Sequence, residues 1–392
     1  MSSARTIHPF PARMAPEIAL RRMAQVRGSR RIRVLDPMCG SGTVLGAALQ
    51  EGHEVWGFDV DPLAVLISRV AVASIDTTAL RNRARKVVEA SKRSKARSLP
   101  WRDQETRSFA AYWFAEHQQL QLTRLSRSIS EVGGAKLRMA LQVAMSRIII
   151  TKSPKASLAA DTSHSRPHRV ATSSEYDVLA GFMHSVDTLI PLLEKRDLRG
   201  VAHVRQGDAR SLPLQSSCID LVITSPPYLN AIDYMRGHRL SLIWLGFSLG
   251  ELRAIRSDSV GAERALDEAE DEKTTSMVRL IEASATKQAA LPRPVIARYA
   301  RDLNKFAVEL HRVCSRDARV VTVIGNSNLR GNFIRNDALV RRALKSAGFD
   351  ITSKRSRDLP EASRYLPVRV QDARSSMARR IRTETVLTAV KR

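Results

Sequence analysis

The stretch Arg31-Ile32-Arg33-Val34-Leu35-Asp36-Pro37-Met38-Cys39-Gly40-Ser41-Gly42-Thr43 decides how the chain is read. Arg31–Asp36 has the apolar, β-branched character of a short strand and ends on an acid. A proline and a glycine-rich turn follow, and Val44–Glu51 has helical spacing. Strand, turn and helix in that order open a parallel α/β sheet. The alternation continues outward, with His53–Asp59 as a second strand and Pro62–Ala73 as a second helix. Val201–Gln206, Cys218–Thr224 and Arg319–Gly325 read as three more strands. Before the last of them, Ile296, Tyr299, Leu303, Phe306, Leu310 and Val313 recur every three or four residues, which marks an amphipathic helix. Thr383–Val390 is expected to add an edge strand. The predicted class is α/β, a doubly wound Rossmann-like sheet with a basic helical insertion.

The expected division follows from where that framework is interrupted. Residues 1–76 form a cofactor-binding half, and 77–199 a basic helical insertion with a polar break around Thr151–Ser174 and a candidate role in target recognition. Residues 200–256 form a catalytic half, 257–291 an Ala-rich helical insertion, and 292–392 the C-terminal part of the sheet. The acidic cluster Asp267–Glu272 is expected to be a solvated helix face. The 392 residues are 43% hydrophobic, enough for a sizeable core, and 64 Lys and Arg against 39 Asp and Glu give a formal charge of +25. Such an excess favours a polyanionic partner, because each neutralised phosphate releases condensed counterions. Three widely spaced cysteines without a CxxC pair exclude a disulfide framework and point to a reducing, cytoplasmic setting. No apolar run reaches membrane-spanning length, since Arg69 and Arg147 interrupt the best two, so no membrane role is expected. The Arg-rich first 33 residues have the composition of a transit peptide, but His8–Pro16 carries a motif of its own.

Within Asp36–Thr43, Gly40 and Gly42 let the backbone turn sharply and approach a ligand with no Cβ in the way. The helix that follows presents unpaired N–H groups to an anion. Asp36, at the carboxyl end of its strand, is placed to accept from an ammonium group. These needs match the amino-acid end of S-adenosylmethionine, with Met38, Cys39, Ser41 and Thr43 lining the same turn. A dinucleotide fingerprint needs its third glycine one place earlier than Gly46, so no pyrophosphate cradle is implied. Asp59, ending the second strand, is placed to take both ribose hydroxyls. Asp61 is the alternative acid there, or else it caps the next helix with Pro62 at the first position. Asp208, after the third strand, is a candidate acceptor for the adenine amino group, or simple turn chemistry. Cys39 reads as a small filler in the turn.

Thr224-Ser225-Pro226-Pro227-Tyr228 directly follows another apolar strand. Two prolines stiffen a loop at the mouth of the sheet and donate no N–H, which leaves carbonyls for a substrate amine. Tyr228 offers an aromatic face to a base taken out of its stack. An exocyclic amine is a poor nucleophile because its lone pair is delocalised into the ring. Hydrogen bonds from it to the Ser225 hydroxyl and the Pro226 carbonyl favour a tetrahedral, reactive nitrogen. Alignment and electrostatics would supply most of the rate gain, and no metal is required.

Asp-Pro-Met-Cys-Gly-Ser-Gly-Thr followed by Thr-Ser-Pro-Pro-Tyr resembles the amino-methyltransferases of bacterial DNA modification, whose active site carries Ser/Asn/Asp-Pro-Pro-aromatic. The resemblance implies S-adenosylmethionine as cofactor and Ser225, Pro226, Pro227 and Tyr228 as the catalytic segment. A serine in first place resembles the cytosine-N4 branch, whereas Asp or Asn resembles adenine-N6 enzymes. His8-Pro9-Phe10, opening the segment that runs to Pro16, is similar to the family's His-Pro-aromatic segment, which helps bind the methionine end of the cofactor. The order, glycine turn before Pro-Pro-Tyr, resembles a circularly permuted branch. The long interval from Asp59 to Asp208 departs from the family pattern, so no target-recognition domain is assigned by analogy.

Candidate nucleic-acid contacts are Arg166, His168 and Arg169 in the basic stretch Ser163–Arg169, and Arg236 and Arg239 after the catalytic loop, with His238 between them. The alternative for each is a solvated surface charge. Neither His164 nor His168 has further ligands at metal spacing. Of Tyr112-Trp113-Phe114, three adjacent aromatics that cannot share one helix face, at least one is expected to be exposed, with packing against the core favoured over base stacking. DNA is the expected partner and cytosine N4 the expected target. Adenine N6 is the nearest rival, and RNA the next, since the glycine turn also resembles guanine-N2 methyltransferases of RNA. Those enzymes carry an RNA-binding domain upstream, where this chain has 35 residues before Asp36. A non-catalytic binder on a decayed enzyme fold is the rival of a different class, and the intact Asp36, Ser225 and Tyr228 speak against it. The family resemblance leaves room for a restriction endonuclease partner.

Overall fold

Strand β1 (Arg33–Asp36) carries Val34 and Leu35 on opposite faces, and both are fully buried, so it needs cover on two sides. The computed structural model, which describes residues 6–10, 14–24, 31–229, 233–262, 270–284, 291–330, 332–359 and 383–392, shows that cover. The remaining strands are β2 (Glu54–Asp59), a short antiparallel pair β3 (Ala159–Ala160) and β4 (His168–Arg169), then β5 (Val201–Gln206), β6 (Ile219–Thr224) and β7 (Cys314–Gly325). A second small pair, β8 (Ser327–Leu329) and β9 (Asn332–Ile334), precedes β10 (Phe349–Asp358) and β11 (Thr383–Lys391). Seven strands make the main sheet in the order β10-β11-β7-β6-β1-β2-β5. Its centre is parallel, and β11 is antiparallel to both neighbours.

Helices α1 (Pro16–Ala24), α2 (Thr43–Gln50) and α3 (Pro62–Val72) lie over one face. There Val34, Val55, Leu221 and Ile223 pack against Val44, Leu45 and Ala48 of α2 and Ile18 and Ala19 of α1. Gly57 of β2 explains how close α2 comes, because a Cβ there would stand 2.6 Å from a methyl of Leu45. The insertion supplies α4 (Thr77–Arg93), α5 (Gln104–Trp113), α6 (Glu116–Ser130), α7 (Ala135–Ile149) and α8 (Val178–Glu194). These helices share a core with Leu63, Ile67 and Val70 of α3. They also share it with α9 (Tyr234–Leu242) and α10 (Leu249–Asp258), so the segment after the catalytic loop is built into the insertion's core. On the other face of the sheet, α11 (Glu272–Ser284), α12 (Arg293–Val313) and α13 (Asn336–Ser346) cover Leu35, Phe58, Val222 and Val320. The predicted apolar stripe of α12, from Ile296 to Val313, is buried throughout.

One expectation is corrected. Thr383–Lys391 is an interior strand, hydrogen-bonded to β7 on one side and β10 on the other, with Val386, Leu387 and Ala389 buried. The edge beyond it is β10, whose exposed charges concealed it in the sequence and now discourage edge pairing. The acidic cluster, described only from Glu270, exposes Asp271 and Glu272 at the start of α11, as expected of a solvated face, and also makes specific contacts. Glu270 pairs with Arg293 at 3.1 Å, and Asp271 accepts from the Thr274 N–H at 2.7 Å at the start of α11.

Candidate active site

β1 and β6 are neighbours, paired Val34 to Leu221 and Leu35 to Val222, and the chain winds away from them in opposite directions. In a doubly wound sheet the crevice outside the carboxyl ends of such strands is where ligands bind. Here those two ends carry Asp36 with its glycine turn and Thr224 with the Ser-Pro-Pro-Tyr loop. The two expected halves of the site therefore open from adjacent strands on one edge.

The glycine turn is fastened from below. Gly40 and Gly42 have φ of 49° and 79°, the left-handed region that glycine alone enters at little cost. The Gly40 N–H donates to Asp59 Oδ2 at 2.9 Å, and Ser68 donates to the Gly40 carbonyl at 2.7 Å. Gly42 caps α2 with no side chain, so the first N–H groups of that helix stay available to an anion. Phe10 lies over the turn: a Cβ on Gly40 would be 3.2 Å from its ring. His8 is buried with Nε2 2.8 Å from Ser146 Oγ, which anchors the His-Pro-Phe segment to α7. Pro11, Ala12 and Arg13 of that motif lie outside the described residues.

Asp36 is 4% exposed, and among the described residues no cationic side chain pairs with it. Burial pushes its carboxyl up to about 7, against the pull of the Thr224 side chain and the Met38 N–H. A buried carboxylate without a cation is costly unless a ligand brings one. Asp59 is pushed up to about 6, by burial first and by the nearby Asp61 second. Its two oxygens hold the Gly40 and Asp61 N–H groups at 2.9 and 3.0 Å, and each keeps a lone pair for a hydroxyl. An ammonium, a carboxylate and a diol are therefore matched by Asp36, the α2 terminus and Asp59 in turn.

Residues 1–169 match the family model described as rRNA methyltransferase AviRa. The chain is 23% identical over 375 residues to the Type II methyltransferase M.MvaI of Kocuria varians, covering 86% of this chain and 80% of that one. The chain is an S-adenosylmethionine-dependent methyltransferase. Among solved structures it is similar to a SAM-dependent methyltransferase of Methanosarcina mazei, with 9% identity, coverage of 97% of this chain and 99% of that one, and a TM-score of 0.35. It is also similar to the rRNA methyltransferase AviRa of Streptomyces viridochromogenes, with 11% identity, coverage of 97% and 86%, and a TM-score of 0.30. Likenesses this loose carry no argument about substrate.

If Asp36 holds the cofactor's ammonium and Asp59 its ribose, as the sequence leads one to expect, both must be ionised to do so. Affinity is therefore expected to fall as pH drops through about 7 and then about 6. It should also fall above about 8, as the ligand's own α-amino group deprotonates. Calorimetry in buffers of different ionisation enthalpy should show proton release on binding below pH 7. A flat affinity from pH 5.5 to 7.5 would remove both carboxylates from the cofactor contacts.

The catalytic loop is held from the sheet's second face. The Tyr299 hydroxyl donates to the Pro227 carbonyl at 3.0 Å, and the Leu229 N–H donates to Asn336 Oδ1 at 3.2 Å. Asn336 in turn donates to the Gly325 carbonyl at 3.1 Å. Ser225 Oγ donates to the Val323 carbonyl of β7 at 2.8 Å and also meets the Tyr228 phenol, which leaves it acceptor capacity for a substrate amine. Tyr228 is half-buried on the core beneath β6 and β7, and burial raises its phenol. Cys39 is the buried filler expected of it, its thiol pushed well up by burial.

Several assignments change in space. Asp208 is gripped by Arg210, 2.7 Å away, which also reaches Asp302 at 2.5 Å, so its carboxylate is already committed as an acceptor. His238 is fully buried and cannot meet a phosphate; its Nδ1 lies 2.5 Å from Asp61 Oδ2. Asp61 does cap α3, accepting from the Leu63 N–H at 2.9 Å, so it serves both partners. Arg236 is exposed, while Arg239 is half-buried over the Phe109 ring. Ser165 donates to the Tyr234 carbonyl at 3.2 Å, and a Cβ on Gly237 would meet the Thr162 carbonyl at 2.4 Å. The Ser163–Arg169 stretch is thereby pressed against α9, and Arg166, His168 and Arg169 are all exposed. Sequence reasoning missed the Asp61–His238 pair, the Tyr299 and Asn336 supports and the Arg210 clamp. Only Asp61 had a local signal, its place before Pro62.

Proposed function

We propose that this methyltransferase acts on the exocyclic amino group of a nucleic-acid base, cytosine N4 of a flipped-out base in DNA. The observation that carries the reading is the Ser225 hydroxyl. Its proton is given to Val323, so its oxygen is left as an acceptor at the edge where Asp36 and the glycine turn open. Such an oxygen orients an amine donor; its proton is already committed to a backbone carbonyl, so it is not set up to be a nucleophile. The cofactor, when bound, supplies an electrophilic methyl group. Asp36, the α2 terminus and Asp59 hold it, Phe10 closes over the turn, and Ser225 with the loop carbonyls draws the amine toward tetrahedral geometry. The +25 charge supplies attraction to the phosphate backbone. The M.MvaI likeness supports the reading because it covers 86% of the chain and so takes in the Ser225 loop.

A second reading, methylation of a base in RNA, is favoured by the AviRa family model, which covers residues 1–169 and stops short of Ser225. The test is incubation with methyl-labelled cofactor and either DNA or RNA, followed by mass analysis of digested nucleosides. N4-methylcytosine from DNA is expected. N6-methyladenine would move the target to adenine, and label in RNA alone would favour the second reading. Ser225→Ala and Tyr228→Ala should each lower kcat about 100-fold or more while leaving the Kd for the cofactor within about threefold. Unchanged kcat in both would place the chemistry elsewhere.

A further inference from the structure

A run of rings and guanidinium groups links α5 and β4 of the insertion to α9, and it surfaces at Tyr112 and Arg169. The Arg239 guanidinium lies 4.9 Å over the Phe109 ring, which stands 6.1 Å from Trp113. Trp113 meets Tyr112 edge to face at 4.9 Å, and the Arg169 guanidinium lies 5.0 Å over Tyr112. Phe109, Tyr112 and Trp113 come from α5, Arg239 from α9 and Arg169 from β4, so the tertiary fold assembles the run. Trp113 is buried and fixes it to the core, whereas Tyr112 is 50% exposed and Arg169 is exposed. Exposing a large aromatic ring beside an arginine does nothing for the core, because both could be solvated separately. The Arg169 Nε donates to the Ala171 carbonyl at 3.1 Å, which holds the guanidinium plane in place. Among the described residues, Arg169 and the exposed Arg166 form no ion pair with a carboxylate.

We infer that this ladder is a stacking platform for unpaired DNA nucleotides flanking the target base. The inference rests on the proposed action on a flipped-out base. Planar bases stack on tyrosine and on guanidinium faces, and free arginines take the phosphates between them. A continuous duplex presents its phosphates but not its base faces, which are covered by their neighbours. Extrusion of one base exposes the faces on either side, and a platform joined through Arg239 to α9, the helix that follows the Ser-Pro-Pro-Tyr loop, is where such a strand would lie. The charge of the patch suits the strand, and its rings suit unstacked bases and not a paired helix.

The test uses the full chain with saturating cofactor and a fluorescein-labelled cytosine-containing oligodeoxynucleotide, single-stranded or annealed to its complement, read by anisotropy. The single strand should bind, and Tyr112→Ala and Arg169→Gln should each weaken it about tenfold, with the Kd for the cofactor unchanged. Binding of the fully paired duplex should change less than threefold in Tyr112→Ala, which removes a stacking face and no charge. Unaltered single-strand binding in the double variant would overturn the inference, as would tighter binding of the ribo-oligonucleotide of the same sequence. Nucleoside analysis separates this from the proposed function. N4-methylcytosine formed by an enzyme indifferent to Tyr112 and Arg169 would sink the platform alone. Dependence of strand binding on both residues, with no methylated cytosine, would sink only the reaction.

Discussion

Replacing Asp36 by Asn is expected to make the cofactor-free protein more stable and to remove most of its affinity for S-adenosylmethionine. The folded state holds the Asp36 proton up to about pH 7, whereas an unfolded aspartate loses it near 3.8. A carboxyl raised in this way makes the fold more stable at low pH. The advantage declines as pH rises from the unfolded value toward about 7, and above that the full penalty of a buried charge is present. The penalty is about 4 kcal/mol at most for a shift of this size. Asn keeps the shape and an oxygen for the Met38 N–H while removing the charge. At pH 8 the variant should melt several degrees higher than the wild type, and at pH 5 the difference should shrink. Binding should move the other way, since losing a charge-assisted bond to an ammonium in a buried site costs about 100-fold or more. Thermal melts at both pH values and calorimetric titration at pH 8 check the two halves together. A variant with wild-type affinity would show that the ammonium binds somewhere else.

The same residue shows what was legible in the sequence. Arg33–Thr43 announced itself because strand, turn and helix are local matters: apolar residues that need two-sided cover, glycines at positive φ, an acid at the strand end. The Ser225 loop was legible for the same reason, two prolines after an apolar strand. The supports of both loops were not. Tyr299 sits in the apolar stripe of α12 and reads as core, yet its hydroxyl holds the Pro227 carbonyl. Asn336 has no periodic or motif signal and works only because α13 is brought under Leu229. Asp208 misled in the opposite sense: its position after a strand suggested a ligand contact, and its neighbour Arg210 claims it. β10 escaped because an edge strand that protects itself with Lys354, Arg355 and Arg357 loses the alternation by which strands are recognised. Local chemistry could be read, whereas pairings across a hundred residues had to be seen.

The largest loss of stability is expected at such a pairing, Asp61 with His238. Asp61 is 6% exposed and His238 0%, and they join the loop after β2 to helix α9, hence the cofactor side of the site to the target side. The carboxylate has two tasks, capping α3 through Oδ1 and holding the imidazole through Oδ2. Asp61→Ser separates them, because serine is itself a good N-cap and keeps a partner for the Leu63 N–H. What it loses is the charge facing His238, whose Nε2 already lacks a partner, so a buried imidazole would be stranded. A loss of about 3 kcal/mol is expected, seen as a lower urea midpoint at constant slope. Removing both polar groups should restore most of it: Asp61→Ser with His238→Leu should return to within about 1 kcal/mol of wild type, since no group is then left unsatisfied. If the single and double variants are equally destabilised, the pair is not coupled, and α9 is held by its apolar contacts alone. If they differ as expected, the restored double variant isolates the pair's other consequence. It would be stable, yet its α9, no longer pinned to the Asp59 loop, should show a raised KM for nucleic acid with the cofactor Kd little changed.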